Sequence, residues 1–272
     1  MAIKLSIIIP CYNMAGYVSE TINSVLSYPD QDIIEIIVVN DGSTDNSRHI
    51  LDVYNIKNLK VVHQDNQGLA KARNNAIKIA RGEYVLPLDA DNKIRHVYIK
   101  KGIEVLDKHP NVGVCFGNLE RFQNDNRIVE VGEFDISKLI VKNYIDACVV
   151  LRKEAWQSVN GYDEQMPVMG YEDWDINMRL FFKGWQFYYI NELCFDYRVR
   201  ENSMLVNSNR NKELLVSYMF AKPSLKQVAI LRKELLDFNL LKDKYNNMKE
   251  RKIIRIALII EKKIKKILDL NQ

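Results

Sequence analysis

The sequence predicts an α/β protein with a Rossmann-like, mostly parallel central sheet flanked by helices and followed by a C-terminal helical extension. Three observations support this prediction. Apolar runs rich in Ile and Val alternate with amphipathic segments through the first hundred residues, which is typical of buried parallel strands connected by helices. After about residue 110 the pattern changes to mixed, partly antiparallel elements. From about residue 208 onward there is no strand-like run.

Four parallel strands are predicted in the first part of the chain. They are LSIIIP (5–10), IIEIIVVN (33–40), LKVVHQ (59–64) and EYVLPL (83–88). Amphipathic spacing predicts three intervening helices. The first covers 17–28, the second begins after an N-cap at Ser43 or Thr44, and the third covers 69–82 with Gly82 as its C-cap. Right-handed crossovers are expected between such strands.

The second part of the chain predicts a mixed region that completes the same core. NVGVCFGNLERF (111–122) and RIVEVGEF (127–134) are interpreted as strands that pair around an NDN turn. YEDWDINMRLFFKG (171–184) predicts a helix, and WQFYYI and LCFDYRV predict two more strands. Beyond residue 208, two helices interrupted at Pro223 are expected.

The composition is that of an ordinary globular protein, with 47% hydrophobic and 27% charged residues. The apolar runs are too short to span a bilayer, and the N-terminus lacks the features of a signal peptide. Four cysteines, Cys11, Cys115, Cys148 and Cys194, show no metal-ligand spacing. We therefore expect buried free thiols and a cytoplasmic protein.

The net charge of +4 is concentrated near the C-terminus, where residues 241–272 contain ten Lys or Arg and four Asp or Glu. The rest of the chain is close to neutral, so no nucleic-acid partner is expected. Residues 249–270 predict a basic helix with an Ile-rich face. Such a helix fits peripheral contact with the inner face of the plasma membrane or docking on a protein, including a second copy of the chain, and both alternatives remain open.

Polar clusters follow each of the first four predicted strands. They comprise Pro10, Tyr12 and Asn13; Asn40, Asp41 and Asp45; Gly68, Lys71, Arg73 and Asn74; and Asp89 and Asp91. Because the carboxyl ends of parallel strands form the ligand-binding edge of an open sheet, these side chains are expected to converge on one site.

The stretch YVLPLDADN (84–92) ends a buried strand with Asp89 and Asp91, and no cationic residue follows until Lys93. Two close carboxylates repel each other, and burying them without a partner is unfavourable. A divalent cation relieves that repulsion, and Mg2+ typically takes one or two carboxylates together with substrate phosphates. The pair therefore predicts a metal that holds a diphosphate, although a solvated turn is an equal alternative for the pair taken alone.

Four segments together resemble the inverting family 2 glycosyltransferases, which have the GT-A fold. They are LSIIIPCYN, EIIVVNDGSTDNS, NQGLAKARNNAIKIARGEYVLPLDADN and GYEDWDINMRLFFKGW, in this order, and the resemblance spans roughly residues 4–200. It implies a catalytic domain over 1–207, with a nucleotide-binding half at 1–110 and an acceptor-binding half at 111–207, followed by the helical extension over 208–272.

The resemblance also implies roles for individual residues. The donor-binding set is Pro10, Tyr12, Asn13, Asp41, Gly68, Arg73 and Asp89; the metal ligands for Mn2+ or Mg2+ are Asp91 and Asp89; the catalytic base is Asp173; and the acceptor-binding residues are Glu172 and Trp174. Displacement at an anomeric carbon independently requires a stabilised leaving group and a base for the acceptor hydroxyl, which agrees with this division.

Each of these residues also has an ordinary structural explanation. Asp41 could cap a turn, Arg73 could lie on a solvated helix face, and Tyr12 could serve packing. Glu172 and Asp173 could favour a helix N-terminus through its dipole, and Trp174 could belong to the core. The occurrence of all these residues in order favours the functional interpretation.

The implied activity is transfer of a sugar from a nucleotide-diphosphate donor, most simply a UDP-sugar, to a glycan or lipid-linked acceptor in cell-surface polysaccharide synthesis. One alternative is a non-catalytic subunit that binds a nucleotide sugar or scaffolds an assembly complex. Another is a nucleotidyltransferase, which is disfavoured because PCYNMAGY contains no Lys or Arg for a triphosphate loop.

One departure from the family pattern concerns the metal. Many relatives carry a His in a Y-R-x-H stretch, whereas YRVRENSM has Arg200 at that place. Arg198 or Arg200 could instead contact the diphosphate directly, because guanidinium groups match phosphate oxygens.

Overall fold

The computed structural model describes residues 2–201, 208–250 and 256–263. The chain divides into two compact units, Met1–Lys226 and Gln227–Gln272. The first unit contains every described strand and extends beyond the boundary predicted at residue 207. It does so because a helix at Lys212–Ala221 buries Leu215, Met219 and Phe220, and the Phe220 ring packs edge-on against Trp174.

The described strands are β1 (Leu5–Cys11), β2 (Ile34–Asp41), β3 (Leu59–Gln64), β4 (Tyr84–Pro87), β5 (Lys93–Ile94), β6 (Val112–Gln123), β7 (Ile128–Val129), β8 (Val150–Arg152) and β9 (Gln186–Val199). The described helices are α1 (Val18–Leu26), α2 (Ser47–Asp52), α3 (Leu69–Ile79), α4 (His96–Lys108), α5 (Ile136–Val141), α6 (Lys153–Ser158), α7 (Glu172–Phe182), α8 (Lys212–Ala221) and α9 (Lys226–Glu250).

The strands form one mixed sheet in the order β3-β2-β1-β4-β8-β6-β9-β5, with β7 paired to β6. The first four strands are parallel, as predicted. Every residue of β1 and β2 is buried, which explains their continuous apolar sequences. Strand β8 is antiparallel to both neighbours and joins the parallel part to the β6–β9 pair. The predicted fold class is confirmed.

Strand β9 differs from its sequence prediction. Two strands were expected at 185–190 and 193–199, and the structure has one strand that runs parallel to β6 with register irregularities around Gly117 and Asn118. A Cβ at Gly117 would lie 2.3 Å from Cys194 Sγ, so a residue without a side chain permits this close passage. The strand predicted at 127–134 is reduced to β7, because Gly132 adopts a φ of 78° that ends the extended conformation.

Two helices separated at Pro223 are present, as predicted, and Lys222 is extended immediately before the proline. The basic helix predicted at 249–270 lies largely outside the described residues. The described stretch 256–263 within this range is helical. No helix within the described ranges is long and apolar enough to cross a membrane. All four cysteines are buried and free, which confirms that part of the prediction.

Candidate active site

A cavity of about 740 Å3 opens in the first unit at the junction between the parallel strands and the second half of the sheet. The first half of the chain lines it with Arg73 and Asp89, which follow β3 and β4. The second half contributes Asp146, Glu172 and Asp173. Side chains separated by up to a hundred residues in sequence therefore share one chamber.

The Asp89–Asp91 turn follows β4. Leu88 extends the strand by donating its backbone N–H to Ile8 O at 2.8 Å, and Asn92 N donates to Asp89 O at 3.0 Å to close the turn. The Asp91 carboxylate is largely buried. Burial and the nearby Asp89 charge raise the pKa of Asp91 above its ordinary value, against the opposing effect of Arg200.

Two arginines at the end of β9 hold this turn. Arg198 donates from Nε to Asp91 O at 2.9 Å and from its backbone N–H to Asn92 Oδ1 at 2.9 Å. Arg200 forms an ion pair in which Nε lies 2.7 Å from Asp91 Oδ2, without the alignment of a hydrogen bond. The departure from the family pattern thus puts a cation directly on one of the predicted metal ligands.

The donor atoms at this turn suit a divalent cation in one respect, because two carboxylates with phosphate oxygens form a typical Mg2+ or Mn2+ ligand set. Burial and the Asp89 charge, which raise the pKa of Asp91, disfavour its charged form, and a bound cation would oppose that effect. Within the described residues, no group of three or more His, Cys, Asp or Glu could hold a metal ion. A metal at Asp89 and Asp91 would therefore need ligands from a bound nucleotide.

Arg73 projects from α3 into the interior, where its side chain is 1% exposed. Its two terminal nitrogens donate to Asp89 Oδ1 and Glu172 Oε1, both at 2.7 Å, and the guanidinium lies 5.5 Å from the Tyr162 ring centroid. These contacts exclude the alternative of a solvated helix face, and donor binding by Arg73 stays a prediction. They give Arg73 a positioning role between the two halves of the site.

The Glu172–Asp173 pair begins α7, as the sequence predicted. Glu172 is buried, and its second oxygen accepts the Gly170 N–H at 2.6 Å. Both of its oxygens therefore accept hydrogen bonds within the protein, and acceptor binding by Glu172 stays a prediction. Its charge acts on its neighbour.

Asp173 is partly buried and faces the cavity. Oδ1 accepts the Trp174 N–H at 2.7 Å, and Oδ2 accepts from Asn143 Nδ2 at 2.8 Å. Burial, followed by repulsion from Glu172 and Asp146, raises the pKa of Asp173 well above its ordinary value. A carboxylate of raised proton affinity that faces a cavity can act as a general base near neutral pH.

The Trp174 ring is in the interior and only 2% exposed. Its Nε1 donates to Leu139 O at 2.6 Å, and the ring packs edge-on against Tyr171 and Phe220. This burial supports the alternative that Trp174 belongs to the core, and its binding of an acceptor stays a prediction. Trp174 fixes α7 against α5 and α8.

The predicted nucleotide-binding edge lies at the ends of β1 and β2. Asp41 accepts hydrogen bonds from Gln67 N at 2.8 Å and Gly68 N at 2.9 Å, and these bonds fix the start of α3. Asn13 Oδ1 accepts the Thr44 N–H at 2.8 Å, while Tyr12 is 46% exposed. Pro10 lies in β1 opposite Val39. The edge therefore combines a fixed backbone with one exposed aromatic ring.

A model of the family described as glycosyl transferase family 2 matches residues 6–162, more than half of the chain. The chain belongs to this family. A second model, described as an N-terminal domain of galactosyltransferase, matches residues 134–201 and so covers the part that contains Glu172 and Asp173.

Family 2 relatives include a putative teichuronic acid biosynthesis glycosyltransferase, TuaG, of Bacillus subtilis. It is 30% identical over 76% of this chain and 83% of that protein. The chondroitin synthase of Pasteurella multocida is 24% identical over 79% of this chain. The match covers only 24% of that synthase and, for the hyaluronan synthase of the same organism, 20%.

Solved structures with the same fold include S. aureus TarS 1-349 in complex with UDP, with a TM-score of 0.64 and 22% identity. The match covers 86% of this chain and 71% of that chain. TarS 1-349 in complex with UDP-GlcNAc matches with a TM-score of 0.67 and 21% identity, over 86% of this chain and 72% of that one. These likenesses confirm the GT-A fold expected of a family 2 member.

Sequence reasoning missed several side chains of this family 2 site. Asp146 and Asn143 lie in the segment before β8, and Tyr197 lies on β9. Burial, followed by repulsion from Asp89, raises the pKa of Asp146 from 3.8 to about 6. The one available signal for Asp146 was its position directly before the apolar run ACVVL. The sequence did not reveal the direction of the strand in this run, so it did not indicate that Asp146 reaches the site.

Proposed function

We propose that this chain is an inverting glycosyltransferase that moves a sugar from a nucleotide-diphosphate donor, a UDP-sugar, to a hydroxyl group of a glycan or lipid-linked acceptor in cell-surface polysaccharide synthesis. The observation that carries the proposal is the Asp173 carboxylate, which faces the cavity with a raised pKa. Asp89, the first residue of the acidic turn, lines the same cavity.

Asp173 is the general base of the proposed reaction. It accepts the proton of the acceptor hydroxyl while that oxygen forms a bond to the anomeric carbon of the donor. The bond between this carbon and the diphosphate oxygen breaks, its electron pair stays with the diphosphate, and the anomeric centre inverts. Asn143 is a positioning residue, because its Nδ2 holds Asp173 Oδ2 at 2.8 Å.

The diphosphate would be bound at the end of β4. A bound Mn2+ or Mg2+ on Asp91 and Asp89 would neutralise the charge that develops on the leaving group. Arg200 already provides positive charge beside Asp91 and is available to phosphate oxygens if it releases the carboxylate. Arg73 keeps Asp89 in place from the interior.

Two observations support a UDP-sugar as the donor: the side chains at the β1–β2 edge and the ligands bound in structures of the same fold. Pro10, Tyr12, Asn13, Asp41 and Gly68 form an edge at which a nucleotide base and ribose would bind, with the exposed Tyr12 ring as a stacking surface. UDP and UDP-GlcNAc are bound in TarS structures of the same fold. On this basis we propose that this protein also binds uridine nucleotides.

A thermal-shift panel with UDP, GDP, dTDP and CMP, each with and without Mn2+, tests the donor class. Selective stabilisation by UDP is expected, and it should be larger with Mn2+ if Asp89 and Asp91 hold the metal. Asp91→Asn should remove the difference made by Mn2+. Stabilisation by another nucleotide alone would overturn the uridine assignment.

Asp173→Asn tests the chemistry. The substituted amide keeps the size of the side chain but has no proton affinity in the relevant range, so UDP stabilisation should be preserved while sugar transfer falls by about 10²-fold or more. Asp30→Asn, at an exposed position outside the cavity, is the matched control. Near-normal transfer by Asp173→Asn would refute the base assignment, and UDP binding without turnover by the unaltered chain would favour the non-catalytic alternative.

The C-terminal unit is proposed to contact either a membrane surface or a second copy of the chain. Several apolar side chains on α9 are exposed, among them Ile230, Phe238 and Leu241. Sedimentation with anionic vesicles should report the first interaction, and light scattering of the purified chain should report the second.

A further inference from the structure

Three exposed lysines, Lys138, Lys142 and Lys212, line the cavity, and we call them the lysine rim. Lys138 lies on α5, Lys142 directly follows that helix, and Lys212 begins α8. Lys138 and Lys142 belong to residues 111–207, which the family resemblance assigns to the acceptor, and Lys212 lies just beyond that range. The three lysines line the same cavity as Asp173.

The positive charges of these lysines are poorly neutralised by carboxylates of the protein. Lys138 Nζ is 4.0 Å from Asp135 Oδ2, at the outer limit of an ion pair. Within the residues that the structure describes, no carboxylate lies within ion-pair distance of Lys142 or Lys212. Arg121, which also lines the cavity, differs in this respect because Asp125 accepts its Nη1 hydrogen bond at 3.0 Å.

Four of the five acidic residues that line the cavity, Asp89, Asp146, Glu172 and Asp173, are buried or partly buried. Glu172 is paired with Arg73, and the same guanidinium also donates a hydrogen bond to Asp89. Glu130 is the one acidic lining residue that is exposed among the described residues. Among the described residues that line the cavity, the exposed charged side chains are thus the three lysines and Glu130.

Lys142 is directly linked to the chemistry by its position in the chain. Its neighbour Asn143 donates a hydrogen bond to Asp173. Lys142 is therefore adjacent in the chain to the residue that holds the proposed base, and both residues line the cavity. Lysine ammonium groups at such a place attract anionic substrates and tolerate varied geometry, because each is a point charge on a flexible stem.

We propose that the acceptor is an anionic glycan, with carboxylate or phosphodiester groups near the sugar that receives the transfer, and that Lys138, Lys142 and Lys212 select it. This inference rests on the proposed glycosyl transfer and specifies its substrate class. The rim attracts the anionic groups that flank the reacting sugar, while the hydroxyl to be glycosylated enters the cavity toward Asp173. The three lysines are specificity residues and take no part in bond making.

The test compares binding of three labelled oligosaccharides to the full chain in the presence of UDP. A hyaluronan hexasaccharide provides carboxylates, a glycerol phosphate hexamer provides phosphodiesters, and chitohexaose is neutral. The unaltered chain should bind at least one of the anionic probes about tenfold more tightly than chitohexaose, and this preference should fall as salt is raised from 50 to about 300 mM. The stronger of the two anionic probes identifies the type of charge.

The triple variant Lys138→Gln, Lys142→Gln, Lys212→Gln should lose about tenfold in affinity for the preferred anionic probe, with chitohexaose binding changed less than about twofold. The control triple Lys60→Gln, Lys100→Gln, Lys108→Gln changes the net charge equally at exposed positions outside the cavity and should retain the preference. Equal losses in both triples would show non-specific polyanion binding and overturn the proposal.

These experiments distinguish failure of the acceptor inference from failure of the proposed function. UDP stabilisation of the triple variant should equal that of the unaltered chain, because the residues of the proposed nucleotide edge do not line the cavity to which the rim belongs. If UDP binds but the neutral probe binds as well as the anionic ones, the acceptor inference fails alone. If UDP does not bind the unaltered chain, the proposed function fails with it.

Discussion

Arg73 Nη1 donates a hydrogen bond to Glu172 Oε1 at 2.7 Å, across 99 residues of sequence. The same guanidinium bonds Asp89 on the other side. One cation thus joins the acidic turn after β4 to the start of α7, and the carboxylate next to Glu172 is the proposed base. The distance between the donor and acceptor sides of the site depends on this buried bridge.

Arg73→Met is expected to destabilise the fold by about 3–5 kcal/mol, because it leaves Glu172 as an uncompensated buried charge. Urea unfolding measures this change. The double variant Arg73→Met, Glu172→Met should recover much of the loss, since it removes both buried charges. Arg127→Met is the control at an ion pair in which the Arg side chain is 62% exposed, and it should cost less than about 1 kcal/mol. An equal effect of the two single variants would contradict the bridge.

Asp146→Asn should move the acid limb of the pH–activity profile to lower pH. The Asp146 charge is one of the causes that raise the pKa of Asp173, so its removal lets Asp173 ionise at lower pH. The substituted Asn can still accept the Cys148 N–H that bonds Asp146 Oδ1 at 2.9 Å. Asp30→Asn, far from the cavity, should leave the profile in place. An unchanged acid limb in Asp146→Asn would show that the charge of Asp146 does not raise the pKa of Asp173.

The same substitution should change stability with pH. Because the pKa of Asp146 rises from 3.8 in its ordinary state to about 6 in the fold, ionising it above that range penalises the folded state. Asp146→Asn should therefore be more stable than the unaltered chain at pH 7, by about 1–3 kcal/mol, and equally stable near pH 3 where both states are protonated. Thermal unfolding at several pH values gives the difference, and a constant difference at all pH values would rule out this cause.

Arg200→Gln should increase Mn2+ affinity of the nucleotide-free chain about three- to tenfold, because it removes a cation that lies 2.7 Å from Asp91 Oδ2. The electron paramagnetic resonance signal of unbound Mn2+ measures this directly. The same variant should weaken UDP binding without metal if Arg200 contacts the diphosphate. Arg127→Gln, which is remote from the turn, serves as control. Weaker Mn2+ binding by Arg200→Gln would show that the arginine does not compete for Asp91.

Gly42→Ala is expected to destabilise the nucleotide edge. Gly42 has a φ of 69°, and a Cβ there would lie 2.6 Å from the backbone nitrogen of Asn66. The left-handed conformation alone costs about 1–2 kcal/mol for a residue with a Cβ, so the loss in unfolding free energy should exceed that value. Gly16→Ala is the control, since a Cβ at Gly16 meets nothing within 4 Å. Weaker UDP binding should accompany the loss only in Gly42→Ala.

The sequence was sufficient where a property is local. Continuous apolar runs predicted β1, β2 and β4, because residues buried on both faces leave no alternation. Asp89 and Asp91 were identified as site candidates because they end such a run at the ligand-binding edge of a parallel sheet. Asp173 was identified through the family resemblance of the segment GYEDWDINMRLFFKGW, in which apolar spacing also predicts the helix that Glu172 begins. Each of these predictions depends on a pattern within about ten residues.

Tertiary structure decided which side chains meet. Arg73 carries no sign in its helix that it will lie between Asp89 and Glu172, and Trp174 carries none that its ring will be covered by Tyr171 and Phe220. Asp146 reaches the site because β8 runs antiparallel between β4 and β6. Sequence periodicity reports whether a residue is buried, but the partner of a buried side chain is set by how distant strands and helices pack, and that information is not contained in any single segment.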